Sequence, residues 1–446
     1  MAALGLVLGL TGVAYPLNFL LLVALILWVT SHKSRWIVLL AATIGTVLAP
    51  TPSQLITHRQ NVSGLAQVVS VPTLGANRIS FEILILSQKW MATLPGKSEV
   101  ALGDQISVHA VARPWPIHLE PWARWHGLAG SMMITPSEMT KISSGGPIAH
   151  FATFIRASFV SFVEGNCPPE AAAMIDGLCF NVSGLLDPET SDDLRKTGLI
   201  HAVSASGFHV TIIVIAISSL ATRLPIPRLA LIVLLTVVLA LYALATGLHA
   251  AIVRACLMSI LGMSAYLFRK ETDFLSALGL SLIAVLLWRP SDIYDSGLQL
   301  SFVTFGALGL VKFRPMDKEV NKLVQRTKQI LLGTFVATAA SMPLVAYHFG
   351  AISLISPVAN VLIGLLIPLI VVVSLGSWLT AFLLPGPAGW VMQHFVTPLV
   401  EAMKVAVQSM ASLPGASVRV PEFSGYAILF VFALALWAWR RVPVEP

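Results

Sequence analysis

The sequence predicts a polytopic α-helical membrane protein with an inserted extracytoplasmic β barrel of OB type. Three observations predict it. The 446 residues are 56% hydrophobic and only 11% charged, a balance outside that of ordinary soluble proteins. Apolar runs of membrane length recur from residue 200 onward. Between residues 51 and 145 such runs stop, and the chain turns polar and rich in β-branched residues.

The elements follow in order. Residues 4–30 are one apolar region broken at Pro16, and 36–50 are another, so 1–50 supply N-terminal transmembrane helices. The loop SHKSRW between them carries Lys33 and Arg35, which marks it as cytoplasmic and sends residue 50 to the outer side. The first run lacks a charged start, so no cleavable signal peptide is expected. Residues 51–145 hold candidate strands at 63–70, 78–87, 105–112 and 128–135, with turn signals at 74–77 and 103–104. A short helix near 121–126 precedes the last strand. An all-β segment of this length suits a five-stranded OB barrel. Trp90, Trp115, Trp122 and Trp125 decorate it, either to stack bases or to pack.

Residues 146–199 read as amphipathic linker helices. Within them DPETSDDLRKTG is fully punctuated: Asp187 as N-cap, Pro188 at the first helical position, Arg195 and Lys196 in the last turn, Gly198 as the stop. From 200 to 446 the chain is a transmembrane domain, with spans near 201–221, 230–247, 250–268, 274–289, 296–312, 329–347, 354–384 and 424–439. The loops ATRLPIPR, FRKETD and KFRPMDKEVNKLVQRTK are basic and alternate onto one side, the cytoplasmic one. The span 354–384 contains Pro357 and Pro368 and reads as one tilted helix or two half-helices, which leaves the side of the C-terminus open. GWVMQHFVTPLVEAMKVAVQSMASLP mixes apolar and polar positions and reads as an interfacial segment.

The polar residues inside these spans carry the functional reading. GLIHAVSASGFHV places His201, Ser204, Ser206, Gly207 and His209 at the head of an apolar stretch. Polar groups at membrane depth are costly, so they face a cavity, a substrate path or another helix. A translocation path, helix packing and Ser–His catalysis all remain open, although no nearby acid completes a triad. If the segment lines a route, bulk at Gly207 is expected to close it without unfolding the bundle. Arg254 either snorkels toward the interface or contacts a phosphate or carboxylate. Asp295, Gln299, Ser301 and Asn360 are candidates either for the path or for interhelical hydrogen bonds. Cys167 and Cys179 can form a disulfide in an oxidising compartment or stay as buried thiols. None of the eleven histidines forms an H-x-H or H-x-x-x-H pair, and neither C-x-x-C nor an ATP-binding loop occurs. No metal site, cofactor or metal-dependent nuclease activity is therefore expected.

At these residues the chain resembles the ComEC-type competence proteins, the inner-membrane DNA-uptake channels of naturally transformable bacteria. HAVSASGFHV resembles the family's H-L-L-A-I-S-G-L-H-V signature, and LRKTGLIH its lead-in. YALATG followed by IVRACLM, WRPSDIYDSGLQLSF and SMPLVAYHFGAISLISPVANVL resemble further motifs in the family's order. The N-terminal helices and the region around WARWHGLAG resemble its amino-terminal part, which carries an OB-like domain. Ser204, Phe208 and Leu298 depart mildly from the pattern. The C-terminal metallo-β-lactamase-like domain of many members is not matched here, so no nuclease activity is expected of this chain.

The resemblance implies passage of single-stranded DNA across the bacterial cytoplasmic membrane during transformation. It implies a lipid bilayer around the bundle, with a separate nuclease, a DNA receptor and a cytoplasmic DNA motor as partners. Two other functions fit the same residues: a transporter of another polar or lipid-linked substrate, and an intramembrane Ser/His hydrolase. Oligomeric state is not encoded in any motif.

Overall fold

A computed structural model describes residues 54–421, apart from 76–77, 97–99, 117–118, 183–185, 201–206, 222–226, 269–273 and 311–321. The spans expected over 4–50 and 424–439 lie outside the described residues, as do His201, Ser204, Ser206 and most of the three basic loops.

The outer domain is a closed five-stranded barrel. Its strands are β1 (Gln60–Val68), β3 (Arg78–Ile85), β4 (Gln88–Pro95), β5 (Gln105–Arg113) and β6 (Leu128–Met133). Short strands β2 (Thr73–Gly75) and β7 (Met139–Ser143) flank β3 and β5. The order β1-β3-β4-β6-β5 closes through β5 on β1, with β4 and β6 parallel and the other pairs antiparallel. Strict alternation drives this: Ile79, Phe81, Ile83 and Ile85 of β3 all turn inward. The helix α1 (Glu120–Trp125) precedes β6, close to where it is expected.

The strand expected over 78–87 is shorter. The chain turns back at Leu86 and Ser87, both with positive φ, and returns as β4. That two-residue hairpin ordinarily signals itself by Asn-Gly or Asp-Gly, which are absent here. Trp90 on β4 is 2% exposed in the barrel core, so it packs and cannot stack a base.

Asp104 fastens the barrel to the bundle. Its carboxylate is fully buried and accepts from the Ala101 and Gly145 N–H groups, from Lys141 at 2.9 Å and from His150 Nε2 at 2.7 Å. Burial alone would raise the Asp104 carboxyl. Lys141, the two backbone donors and His150 outweigh it and hold the group below the usual carboxylate range.

His150 lies on α2 (Pro147–Asn166), which is followed by α3 (Pro169–Phe180) and α4 (Pro188–Lys196). The punctuation expected for α4 is present: Asp187 accepts from the Thr190 N–H at 3.0 Å, and Gly198 takes a positive φ. The other two helices are more than linkers. Every residue from Ala171 to Phe180 on α3 is buried. Phe159 of α2 and Phe180 of α3 pack as tilted rings with centroids 4.9 Å apart, against Trp378 on one side and Tyr242 on the other.

The bundle continues with α5 (Gly207–Ala221), α6 (Arg228–Ala245), α7 (Ala250–Leu267), α8 (Phe274–Trp288), α9 (Ser296–Leu310), α10 (Lys322–Phe349) and α11 (Ser356–Ala381). Among the described residues, four helices are long and apolar enough to cross a membrane: Arg228–Ala245, Ala250–Leu267, Thr327–Phe349 and Ser356–Ala381. The chain is thus a helical membrane protein with an OB-like barrel. Helix α11 runs unbroken through Pro357 and Pro368, as one helix and not two halves.

The segment read as interfacial is helical almost throughout. Helix α12 (Pro385–Val391), a π-helical turn (Met392–Val396) and α13 (Thr397–Ala411) form one continuous helical path back along α11. Met392, Val396, Val400, Met403, Val407 and Met410 recur every three or four residues and are all buried. Strand β9 (Ser417–Arg419) then pairs with β8 (Ala351–Ser353), which precedes α11.

Cys167 and Cys179 are both buried free thiols in place of the disulfide the sequence allowed. At about 1.5 Å rise per residue, α3 carries Cys179 roughly 15 Å along its axis from the helix start, whereas a disulfide needs Cα atoms within about 7 Å.

Candidate functional site

The polar residues expected to form one path fall into three groups. The first joins the start of α5 to the interior of α7 and α9. Arg254, on the second turn of α7, is 1% exposed and does not snorkel. Its guanidinium carbon lies 4.2 Å from the Phe305 ring centroid and 5.6 Å from that of Phe302. Its Nη1 reaches Met258 Sδ at 3.6 Å, and its Nε has no hydrogen-bond partner among the described residues. A Cβ built on Gly207 would stand 2.8 Å from Arg254 Nη2 and 3.1 Å from Ala255 Cβ. Gly207 is therefore a contact point for the arginine. A side chain there would press on the tip of Arg254 and on Ala255, so one of them must give. His209, one half-turn on, is also 1% exposed.

The second group sits at the other end of α9. Asp295 caps that helix, its Oδ1 accepting from the Leu298 N–H at 2.7 Å. Gln299 donates through Nε2 to the Ile293 carbonyl at 2.8 Å, so its Oε1 is the acceptor toward His348 Nε2 at 2.8 Å. This fixes the proton on His348 Nε2 and ties α9 to α10. Nearby, the 3₁₀ turn Pro290–Tyr294 carries Asp292, whose Oδ2 is buried without a hydrogen-bond partner among the described residues. Burial first, with Asp295 and Glu82, pushes the Asp292 carboxyl up to about 6 against the pull of Arg289 and Lys89. Glu82 and Lys89 are barrel residues, so the barrel borders this end of the bundle.

The third group is Asn360 on α11, which donates to Ser356 Oγ at 3.0 Å within its own helix. Gly198 packs on Ser356 so closely that a Cβ would stand 2.9 Å from it. Ser301 is half-buried on α9, in neither cluster. Phe302, Phe305 and His348 were not singled out from sequence. The only signal for them was their place inside or just beyond two of the quoted motifs.

The chain matches the competence protein family over residues 178–442, more than half its length. It belongs to the competence protein family. Over 208 residues it is 28% identical to ComE operon protein 3 of Bacillus subtilis (strain 168), an alignment covering 47% of this chain and 26% of that protein. Over 257 residues it is 26% identical to competence protein ComA of Neisseria gonorrhoeae, covering 55% and 36%. The chain thus spans roughly a quarter to a third of the length of these curated relatives. No solved structure matches it. The family match takes in α5 through α13 and with them all three polar groups, whereas the barrel lies outside it.

Among the described residues no group of three or more His, Cys, Asp or Glu could hold a metal ion. What the competence-family bundle does hold is buried cationic and hydrogen-bonding side chains on apolar helices.

Proposed function

We propose that this competence-family protein forms the route by which a single DNA strand crosses the bacterial cytoplasmic membrane during transformation. One observation carries the reading. The family-matched bundle turns Arg254 and His209 inward, together with Thr246, Ser281 and Ser374, on helices whose outer faces are apolar. Polar groups at membrane depth are expensive and mark pathways or binding sites. A moving strand needs weak polar contacts in succession, not one tight site. The barrel sits at the bundle end that carries Asp292 and Gln299, a position suited to meeting the strand first.

On this reading the protein is a conduit and not an enzyme. The chain has no ATP-binding loop, so a separate motor draws the strand inward, and a separate nuclease and DNA receptor act on the outer side. A deletion strain scored for labelled DNA tests this. Expected is label held at the cell surface with none in the cytoplasm, restored by the wild-type gene. Normal cytoplasmic entry would overturn the reading and favour a transporter of another polar or lipid-linked substrate.

A further inference from the structure

We infer that the barrel rocks on its Asp104 joint, and that protonation of Asp292 seats its other side on the bundle. The barrel meets the bundle at two places, each centred on an aspartate. At the first, Asp104 accepts from the Ala101 and Gly145 N–H groups, from Lys141, and from His150 of α2 at 2.7 Å. At the second, the 3₁₀ turn Pro290–Tyr294 packs on α8, on α9 and on the barrel helix α1. Asp292 of that turn is provided for in the opposite way. Its Oδ2 is buried and accepts no hydrogen bond from the described residues.

The charges around Asp292 come from both bodies. Arg289 follows the end of α8, its guanidinium carbon 4.5 Å from the Trp288 ring centroid. Asp295 caps α9. Glu82 and Lys89 stand on β3 and β4 of the barrel, and α1 carries Glu120 and Arg124. Glu82 acts on Asp292 more strongly than Lys89 does. A carboxylate shut away from water without donors is costly, and its neutral acid much less so. Seating the barrel and ionising Asp292 therefore oppose each other. Lifting the barrel returns water to the buried oxygen and takes Glu82 away.

The two joints respond to pH with opposite sign. Burial first, with Asp295 and Glu82, brings the seated Asp292 to about 6, against about 4 for an aspartate in water. Seating is therefore strongest below about pH 4, weakens as pH rises, and levels off above about 6. Two pH units limit the loss to about 100-fold in the seated-to-open ratio. Asp104 is held below the usual carboxylate range, so its joint stays ionised and made down to about pH 4. Above that pH one joint holds while the other loosens, and the barrel pivots without detaching. None of this depends on what crosses the bundle.

The test uses the full chain in nanodiscs, with spin labels on introduced cysteines; the three native thiols are buried. Leu86→Cys with Leu287→Cys reports the Asp292 side, and Ile142→Cys with Phe151→Cys reports the Asp104 side. All four positions are exposed. Distances are measured from about pH 4.5 to about pH 7.5. The first pair should pass from a short to a longer separation, its seated-to-open ratio falling about 5- to 20-fold. The second pair should not move. Asp292→Asn, neutral at every pH, should stay seated throughout. Glu82→Gln should shrink the fall, because it removes a like charge that the seated barrel brings to Asp292. A wild-type ratio that stays constant, or a fall undiminished in Asp292→Asn, overturns the proposal. If Asp292→Asn does not fold, Glu82→Gln decides by the same criterion. Movement of both pairs together also overturns it, since the barrel would then be detaching or unfolding.

Discussion

At the scale of single residues, the contact that matters most is between Gly207 and Arg254, 47 positions apart in the chain. Overpacking a close contact costs about 1–3 kcal/mol. Gly207→Ala should therefore lower the unfolding free energy by about that amount, measured by thermal or denaturant unfolding of the purified protein. The cost has one named cause, the collision with Nη2, so a double-mutant cycle isolates it. Gly207→Ala in an Arg254→Met background should recover most of the loss. Additive losses would mean that the alanine clashes with something else, Ala255 first. Gln299 is a second such residue. It looked equally suited to substrate or to helix pairing, and both ends of its amide are engaged by Ile293 and His348.

At the scale of elements, two joints of the barrel invite measurement. The β3–β4 hairpin turns on Leu86 and Ser87 at φ 48° and 68°, and Leu86 is 87% exposed. Side chains seldom adopt that conformation, and glycine does so freely. Ser87→Gly should stabilise the hairpin by about 0.5–1 kcal/mol, read as slower hydrogen exchange along β3 and β4. The other joint is Asp104. Its carboxyl is held below the ordinary carboxylate range in the folded protein, so its contribution is full above the unfolded value near 4 and fades as pH falls through the lowered folded value. Exchange protection of residues 101–113 should be flat from neutral pH down to about 4 and drop below that. Asp104→Asn should cost about 2–4 kcal/mol at neutral pH and flatten the acid limb, since it breaks buried charge-assisted hydrogen bonds.

At the scale of the whole molecule, the return of the chain along α11 fixes which ends lie together. Strand β9 pairs with β8, so residues 417–419 sit at the end of the bundle from which α11 starts. That end also borders the barrel, through Asp292 beside Glu82 and Lys89. Lys33 and Arg35 imply an outer barrel by charge bias. Single cysteines at 413–415 should then react with an impermeant thiol reagent from the same side as cysteines in the barrel. A cysteine at 383 should react only from the opposite side. The last apolar run, 424–439, would carry Arg440 and Arg441 to the cytoplasm, the side their charge favours. Labelling at 383 and 415 from one side would break the antiparallel arrangement of α11 with the helix that follows it.

The sequence by itself determined what is local. Apolar runs of membrane length marked α6, α7, α10 and α11, β-branched content between turn signals marked four strands of the barrel, and caps marked both ends of α4. Ordered motifs pointed to the family that the match over 178–442 established. Each of these signals is carried by residues close together in the chain. What only the tertiary structure decided depends on residues far apart. That strand 78–87 breaks at Leu86, that α3 is buried on every side, and that the chain after Ala381 returns along α11 follow from which surfaces each segment finds, not from its own period. The same holds for the candidate site. Arg254 was legible as an unusual residue inside a span. Its lack of a carboxylate partner among the described residues, its aromatic cover and its reach to Gly207 exist only once α5, α7 and α9 pack together, because a buried charge is defined by what surrounds it.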